Sequence, residues 1–250
     1  MKNARKYVLT IAGLDPSGGA GLTADVKTFE QHKVYGLSLC TAITLQTENE
    51  FFDIRWEKIV DLVTSMEVIL SKYPVSVIKT GIVPSFDFLN KIVSYLHKHY
   101  PHIKIIIDPI FKSSTGFDFF ENTSKELFFD LLKKCFLITP NTNEASLIVG
   151  NNNAFEAAKE ISKHCNVLLK GGHNKENTGH DFLFYQNEIT EFKPTTKEVF
   201  PKHGSGCILS AAIAANIALG YNLNEACNKA KQYIETILTS NHSLLAYHHV

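Results

Sequence analysis

The residues best suited to carry out chemistry lie at 202–214, where Lys-His-Gly-Ser-Gly-Cys precedes a long run of small apolar residues. Two glycines and a serine predict a sharp loop that leads directly into the N-terminus of a buried helix. The first N–H groups of a helix have no partner within it, and the helix dipole favours negative charge there, so this loop is a candidate anion site. Cys207 lies in the first turn, where a helix N-terminus lowers the pKa of a thiol. An anion site beside a proton acceptor indicates phosphoryl transfer to a hydroxyl.

Two other interpretations of Cys207 stay open. His203 lies four residues earlier and suggests a covalent nucleophile of the Cys–His type, although this spacing across a glycine turn does not assure hydrogen-bond geometry. The commonest fate of a free cysteine is a buried, inert thiol, and the glycine-bounded helix start argues against that fate here.

A second glycine-rich stretch, 15–21, follows the first strand-like run. Gly19, Gly21 and Ala24 match the G-x-G-x-x-A pattern of dinucleotide-binding turns, with Glu48 as the acid that would contact a ribose. The match is poor because such a turn begins directly at the strand end, whereas residues 13–17 intervene here. The chain also lacks a G-x-x-x-x-G-K-[ST] pattern, which excludes a P-loop nucleotidase.

Short apolar runs alternate with amphipathic stretches along the chain, which predicts a mostly parallel sheet covered by helices on both faces. The predicted strands are 7–12, 38–45, 75–80, 103–108, 135–139 and 166–170, and the predicted helices are 19–32, 56–72, 86–99, 122–134, 154–163, 205–219 and 223–239. At 181–192 the pattern alternates on either side of Gln186-Asn187, which indicates an antiparallel hairpin at the sheet edge. We find no linker or repeat, so residues 1–250 are interpreted as a single domain.

Composition excludes several classes of protein. The 25 basic and 25 acidic residues balance, and no basic stripe stands out, so nucleic acid is not an expected partner. The apolar runs are too short to span a membrane, and the N-terminal run is not a convincing signal peptide. Five cysteines without a C-x-x-C pair predict reduced thiols in the cytoplasm, and the scattered histidines give no zinc-finger spacing.

Polar residues recur where the predicted strands end, and ligands of open α/β sheets bind beyond those ends. The amide of Gln46 is suited to the edge of a heterocycle or simply caps its strand. Asn141 and Glu144 fit a helix start, and Asp25 fits a first-turn acid that complements the dipole of its helix. Lys170 ends a buried strand beside two glycines and is well placed for a phosphate, with a surface lysine as the alternative.

Taken together, these segments resemble the hydroxymethylpyrimidine/phosphomethylpyrimidine kinase family of the ribokinase-like fold. The match covers nearly the whole chain in order, through 11–21, 24–29, 34–36, 41–46, 78–81, 107–109, 137–145, 170–173 and 203–207. The resemblance implies a three-layer α/β/α domain that uses ATP and Mg²⁺ in thiamine biosynthesis. Such enzymes phosphorylate 4-amino-5-hydroxymethyl-2-methylpyrimidine and then its monophosphate, and the resemblance also implies a homodimer.

The resemblance also implies roles for individual residues. The pyrimidine would be held by Gly13, Asp25 and Gln46. The anion hole for the transferring phosphoryl group would be formed by Gly204, Ser205, Gly206 and the N–H of Cys207, which stands where most sugar kinases of this fold carry an aspartate base. The nucleotide would be bound by Asn141 and Lys170, and its magnesium would be served by Glu144 and Asp108.

Some positions depart from the family pattern. Ile208 and Ser205 each replace a threonine, and residues 110–116 replace the methionine-containing flap that closes over substrate. The altered flap leaves the second phosphorylation and the substrate preference open. Two alternatives are therefore a pyridoxal or pyridoxine kinase of vitamin B6 salvage and a non-catalytic ligand-binding protein on the same fold.

Overall fold

The computed structural model describes residues 5–110, 124–172, 178–196 and 198–248. Nine strands form one sheet, and they are β1 Tyr7–Leu14, β2 Tyr35–Gln46, β3 Phe51–Trp56, β4 Val75–Thr80, β5 Lys104–Ile107, β6 Leu137–Ile138, β7 Asn166–Leu169, β8 Asp181–Tyr185 and β9 Glu188–Phe192. The helices of the described residues are α1 Gly21–Gln31, α2 Ile59–Lys72, α3 Phe86–His99, α4 Lys125–Leu132, α5 Thr142–Val149, α6 Ala154–Ile161, α7 Ser205–Ala218 and α8 Leu223–Leu238.

The strand order is β3-β2-β1-β4-β5-β6-β7-β8-β9. The six strands from β2 to β7 in this order pair in parallel, as the alternating pattern predicts. β8 and β9 form the predicted antiparallel hairpin, and Gln186 and Asn187 both have positive φ at its turn. The mostly parallel sheet and the edge hairpin are therefore confirmed.

The helices form two layers over this sheet. The apolar faces of α1, α7 and α8 pack together on one face, and those of α2 to α6 contribute to a second apolar cluster on the other. α7 is buried from Cys207 to Ala218 because its small residues pack closely on all sides. The first turn of this helix is thus anchored in the core. No helix of the described ranges is long and apolar enough to cross a membrane.

Some elements differ from the sequence prediction. β3 is an additional antiparallel strand that pairs with β2 at the other edge, within a stretch for which no strand was predicted. Its side chains are exposed or half-buried, and Asp53 and Arg55 interrupt its apolar residues, so it is not the continuous apolar run of a central strand. β2 begins at Tyr35 rather than at residue 38. α5 is a separate helix, for which only a start at Asn141 was predicted.

Candidate active site

The loop between β1 and α1 is held by one carboxylate. Asp15 accepts hydrogen bonds from the Ser17 N–H at 2.9 Å, the Ser17 hydroxyl at 2.8 Å and the Ala20 N–H at 2.8 Å. Gly21 follows with φ +57°, and a Cβ there would lie 2.2 Å from the carbonyl oxygen of Gly13. The glycine at 21 is therefore required for the chain to turn back against the end of β1.

The loop before α7 packs directly on this first loop. Gly204 is the N-cap residue of α7, with φ +72°, and a Cβ there would lie 2.2 Å from the carbonyl oxygen of Gly19. Only a glycine lets the two backbones approach so closely. The structure thus brings together two glycine loops that are far apart in the sequence.

The first turn of α7 presents unpaired donors. Its first helical hydrogen bond runs from the Ile208 N–H to the Gly204 oxygen at 3.0 Å, and the Ser205 N–H makes a long contact of 3.4 Å to Lys202. Within the described part of the chain, the N–H groups of Gly206 and Cys207 have no backbone acceptor. These free N–H groups and the positive end of the helix dipole suit an anion, as the sequence predicts.

The Cys207 side chain lies at this turn and is 8% exposed. Burial raises the pKa of its thiol to about 11, although the ammonium of Lys79 and the N–H of Gly21 oppose that rise. The expected low pKa of this thiol is therefore wrong, because the loss of solvent outweighs the opposing cation and N–H group. Cys207 is a protonated thiol in the free protein at neutral pH.

The Cys–His alternative does not fit the position of His203. Its Nε2 atom lies 3.0 Å from Oδ2 of Asp15, so the ring is engaged with the first glycine loop. Among the described residues, no hydrogen bond joins His203 to Cys207. A pair in which His203 would deprotonate Cys207 is therefore not assembled.

Asp25 and Lys79 form a completely buried ion pair. The Nζ atom of Lys79 donates to both carboxylate oxygens of Asp25 at 2.7 and 2.8 Å, and the hydroxyl of Thr10 donates at 2.6 Å. Neither charged side chain has exposed surface. Burial alone lowers the pKa of Lys79, but the charges of Asp25, Cys207 and Asp108 outweigh it and raise that pKa, so Lys79 stays a cation. A direct contact between Asp25 and a pyrimidine does not fit this burial.

A second ion pair lies at the ends of β5 and β7. Nζ of Lys170 donates to Oδ1 of Asp108 at 2.8 Å, and the hydroxyls of Thr139 and Ser210 donate to Asp108 at 3.2 and 3.1 Å. Burial opposes ionisation of Asp108, but Lys170 and Lys79 lower its pKa overall. A Cβ on Gly206 would lie 3.2 Å from Nζ of Lys170, which places the ammonium beside the free N–H groups of α7.

Asn141 and Glu144 cap α5 together. The Asn141 side chain accepts from the Glu144 N–H at 2.9 Å, and the Glu144 carboxylate accepts from the Asn141 N–H at 2.7 Å. Asn141 also forms a bridge with Lys170 at the end of β7. Burial raises the pKa of Glu144 to about 7, with Lys170 opposing and Asp108 adding to the rise. Glu144 is therefore close enough to Lys170 and Asp108 to interact with both charges, and its role at the magnesium of the nucleotide stays a prediction.

Gly13 and Gln46 lie near the ends of neighbouring strands. Gly13 is in register with Ala42 of β2, and Gln46 is the half-buried last residue of that strand. Within the described ranges, the Gln46 amide makes no side-chain hydrogen bond and is available to a ligand. Residues 111–116 of the altered flap, and His173, lie outside the described residues.

Lys79 is the main functional residue that sequence reasoning missed. A lysine inside the apolar run Val75–Thr80 is itself a signal, because a buried cation needs a carboxylate partner. Ser210, which contacts Asp108 from the second turn of α7, left no such signal among its small neighbours.

Comparison with known proteins agrees with this geometry. A family model for phosphomethylpyrimidine kinase matches residues 15–250. The hydroxymethylpyrimidine/phosphomethylpyrimidine kinase of Staphylococcus aureus strain MSSA476 is 33% identical over 240 residues, which cover 92% of this chain and 86% of the relative. The crystal structure of phosphomethylpyrimidine kinase from Clostridium difficile 630 is similar with a TM-score of 0.77 and 33% identity, over 92% of this chain and 98% of that one.

Pyridoxal kinase from Staphylococcus aureus in complex with AMP-PCP is also similar, with a TM-score of 0.83 and 26% identity over 94% of this chain and 89% of that one. Both solved structures share the ribokinase-like architecture and place this protein among kinases. The family model matches nearly the whole sequence, and the chain belongs to the phosphomethylpyrimidine kinase family.

Proposed function

We propose that this protein transfers the γ-phosphoryl group of ATP to the hydroxymethyl group of 4-amino-5-hydroxymethyl-2-methylpyrimidine, and then phosphorylates the resulting monophosphate. The observation that carries the proposal is the free N–H pair of Gly206 and Cys207 beside the Lys170 ammonium. This arrangement suits a phosphoryl group in transit, since such reactions depend on positioning and on stabilisation of charge. Membership of the phosphomethylpyrimidine kinase family supports the choice of acceptor.

The pyrimidine is assigned to the end of β1 and β2. Gln46 offers an amide that both donates and accepts, which matches a ring nitrogen next to an amino group. Gly13 contributes backbone without a side chain at the same strand end. Asp25 does not contact the pyrimidine directly, because its carboxylate holds the ammonium of Lys79.

In the transfer step, a bond forms between the hydroxymethyl oxygen and the γ-phosphorus, and the bond from that phosphorus to the β–γ bridging oxygen breaks. The loop N–H groups from Ser205 to Cys207 and the ammonium of Lys170 hold the charge of the moving group. Since the raised pKa keeps Cys207 protonated, the thiol orients the hydroxyl, and the hydroxyl proton passes late in the step to a phosphate oxygen.

The residues on the nucleotide side fit a magnesium ion that takes most of its ligands from phosphates and water. Within the described ranges, no three metal-binding side chains converge, and a nucleotide-bound Mg²⁺ needs only one or two carboxylates. Glu144 fits best, since burial raises its pKa and a bound cation would favour its ionised form. Asp108 accepts hydrogen bonds from Lys170, Thr139 and Ser210, so it positions Lys170 and does not bind the magnesium directly. Magnesium would supply neutralisation of phosphate charge.

Pyridoxal phosphorylation is the alternative, and the similarity to the Staphylococcus aureus pyridoxal kinase favours it. The test is ADP release with Mg-ATP and, in turn, hydroxymethylpyrimidine, its monophosphate and pyridoxal. Turnover of both pyrimidines supports the proposal, whereas turnover of pyridoxal alone moves the protein to vitamin B6 salvage. If no acceptor gives ADP release, the result favours the non-catalytic alternative. The family assignment lends no support to the dinucleotide interpretation at Gly19 and Gly21.

Three further proposals concern the whole molecule. A single domain over 1–250 is supported by the participation of all nine strands in one sheet. A homodimer is supported by the edge pair β2–β3, which exposes 62% of Leu45 and 59% of Phe52. A cytoplasmic location is supported by five free cysteines.

A further inference from the structure

Asp15 and His203 join the two glycine loops of the site. Oδ2 of Asp15 lies 3.0 Å from Nε2 of His203, although the residues are separated by 188 positions in the sequence. The Asp15 side chain is 2% exposed and that of His203 is 24% exposed, so the contact is largely shielded from water. A charge-assisted hydrogen bond of this kind is stronger than one between exposed groups.

The donor and the acceptor of this hydrogen bond can be assigned. Burial raises the pKa of Asp15, but the hydrogen bonds from His203, Ser17 and Ala20 outweigh it and lower that pKa. Asp15 is therefore an ionised acceptor, and Nε2 of His203 must carry the proton that it donates. The Asp15 carboxylate thus accepts hydrogen bonds from donors on both loops and donates none.

Both ends of this contact are anchored. On one side, Asp15 holds the turn from Ser17 to Ala20 through three hydrogen bonds. On the other side, the N–H of His203 donates to the carbonyl oxygen of Leu244 at 2.9 Å. The His203 ring also lies against the first loop, since a Cβ on Gly19 would be 2.7 Å from its Cδ2 atom.

The anchored residues lead directly into the reacting groups. His203 precedes Gly204, and the free N–H groups of α7 begin two residues after Gly204. Asp15 follows the end of β1, where Gly13 lies. A shift between the two loops would therefore change the distance between the pyrimidine side and the phosphoryl side of the site.

We propose that Asp15 and His203 are positioning residues for phosphoryl transfer, and that their hydrogen bond fixes the spacing between the acceptor loop and the anion-binding turn. The inference rests on the proposed function for the identity of the acceptor only. Misplacement of reacting groups by about 1 Å costs about a hundredfold in rate. Loss of the bond should therefore lower kcat by between about tenfold and a hundredfold while the affinity for each substrate changes much less.

The test compares His203→Ala, His203→Gln and Asp15→Asn with the wild type. Glutamine keeps an N–H donor near the position of Nε2, whereas asparagine at 15 presents an N–H to groups that already donate. The matched control is His180→Ala, which removes another histidine–carboxylate contact, 2.7 Å to Glu191, on the edge hairpin. The measurements are kcat and KM for ATP and for the acceptor that the wild type phosphorylates, the Tm, and amide hydrogen exchange of both loops.

We expect His203→Ala and Asp15→Asn to lose rate with little change in KM, His203→Gln to recover most of it, and His180→Ala to behave as wild type. Exchange should quicken in both loops of His203→Ala. A folded His203→Ala protein with unchanged kcat would overturn the proposal. A His203→Gln protein whose kcat stays as low as that of His203→Ala would also overturn it. If the wild type phosphorylates none of the three acceptors, the proposed function fails. Unchanged hydrogen exchange in His203→Ala would then by itself overturn the positioning role.

Discussion

Replacing Lys79 by methionine leaves the Asp25 carboxylate without its cation in the protein interior. Neither side chain is exposed, and the ammonium contacts both carboxylate oxygens at 2.7 and 2.8 Å. Breaking one partner of such a pair costs about 3–5 kcal/mol. The hydroxyl of Thr10 still donates to Asp25 at 2.6 Å, so we expect the lower end of this range. A loss of about 3 kcal/mol corresponds to a fall in Tm of roughly 6–12 °C for a chain of this size.

The loss should depend on pH in a defined direction. Without Lys79, burial drives the Asp25 carboxyl toward its protonated form, so its folded pKa lies above the unfolded value. The folded state then binds a proton that the unfolded state releases, and stability falls as pH rises through the folded pKa. The Lys79→Met variant should therefore be further below wild type at pH 8 than at pH 5.

Chemical denaturation with urea at both pH values measures this effect. The control is Lys91→Met, which removes an exposed pair with Asp87 at 2.6 Å and should cost only a small fraction as much. The double variant Asp25→Asn/Lys79→Met should recover most of the loss, because it leaves no uncompensated charge. Equal losses for Lys79→Met and Lys91→Met would refute the buried-pair reasoning.

The other predictions concern the reaction. Cys207→Ala should lower kcat at least about tenfold because the hydroxyl loses its orienting group, and wild-type turnover there would exclude that role. Alkylation of Cys207 by iodoacetamide should stay slow below pH 9, since its pKa is raised to about 11; rapid labelling at pH 7 would contradict the burial argument. Lys170→Met should raise the KM for ATP and destabilise the fold, because it removes the phosphate partner and leaves Asp108 unpaired; an unchanged KM would count against its nucleotide role. Glu144, with a pKa raised to about 7, favours folding most below pH 4.5 and loses that contribution toward pH 7, so Glu144→Gln should flatten the fall in unfolding free energy over that interval, as denaturation at several pH values would show.

The sequence pattern predicts the parallel strands because buried strands are continuous apolar runs bounded by polar residues. It fails for β3, whose exposed Asp53 and Arg55 carry no apolar signal, since an edge strand is fixed by pairing with β2 rather than by burial. It also fails for β6, where only Leu137 and Ile138 pair within the longer predicted run.

The site shows a similar division. Local patterns predict the anion-binding turn at Gly204 and the capping pair Asn141–Glu144, because both depend on residues close together in the sequence. Local patterns do not identify the partners in contacts across the fold. The partnership of Lys79 with Asp25 spans 54 positions, and whether Cys207 is ionised depends on how deeply the folded chain buries it.

The raised pKa of Cys207 bears on how much proton abstraction the reaction needs. Transfer of a phosphoryl group proceeds through a loose transition state in which the attacking oxygen has gained little bonding and its proton is still largely held. A group that takes this proton early would add little, whereas one that fixes the direction of the hydroxyl adds rate through positioning. A buried thiol is suited to that task because it keeps a fixed place in the first turn of α7 without bringing a negative charge toward the phosphates. Under the proposed function, the cations Lys79 and Lys170, each held by a carboxylate, would set the electrostatics around the phosphoryl group.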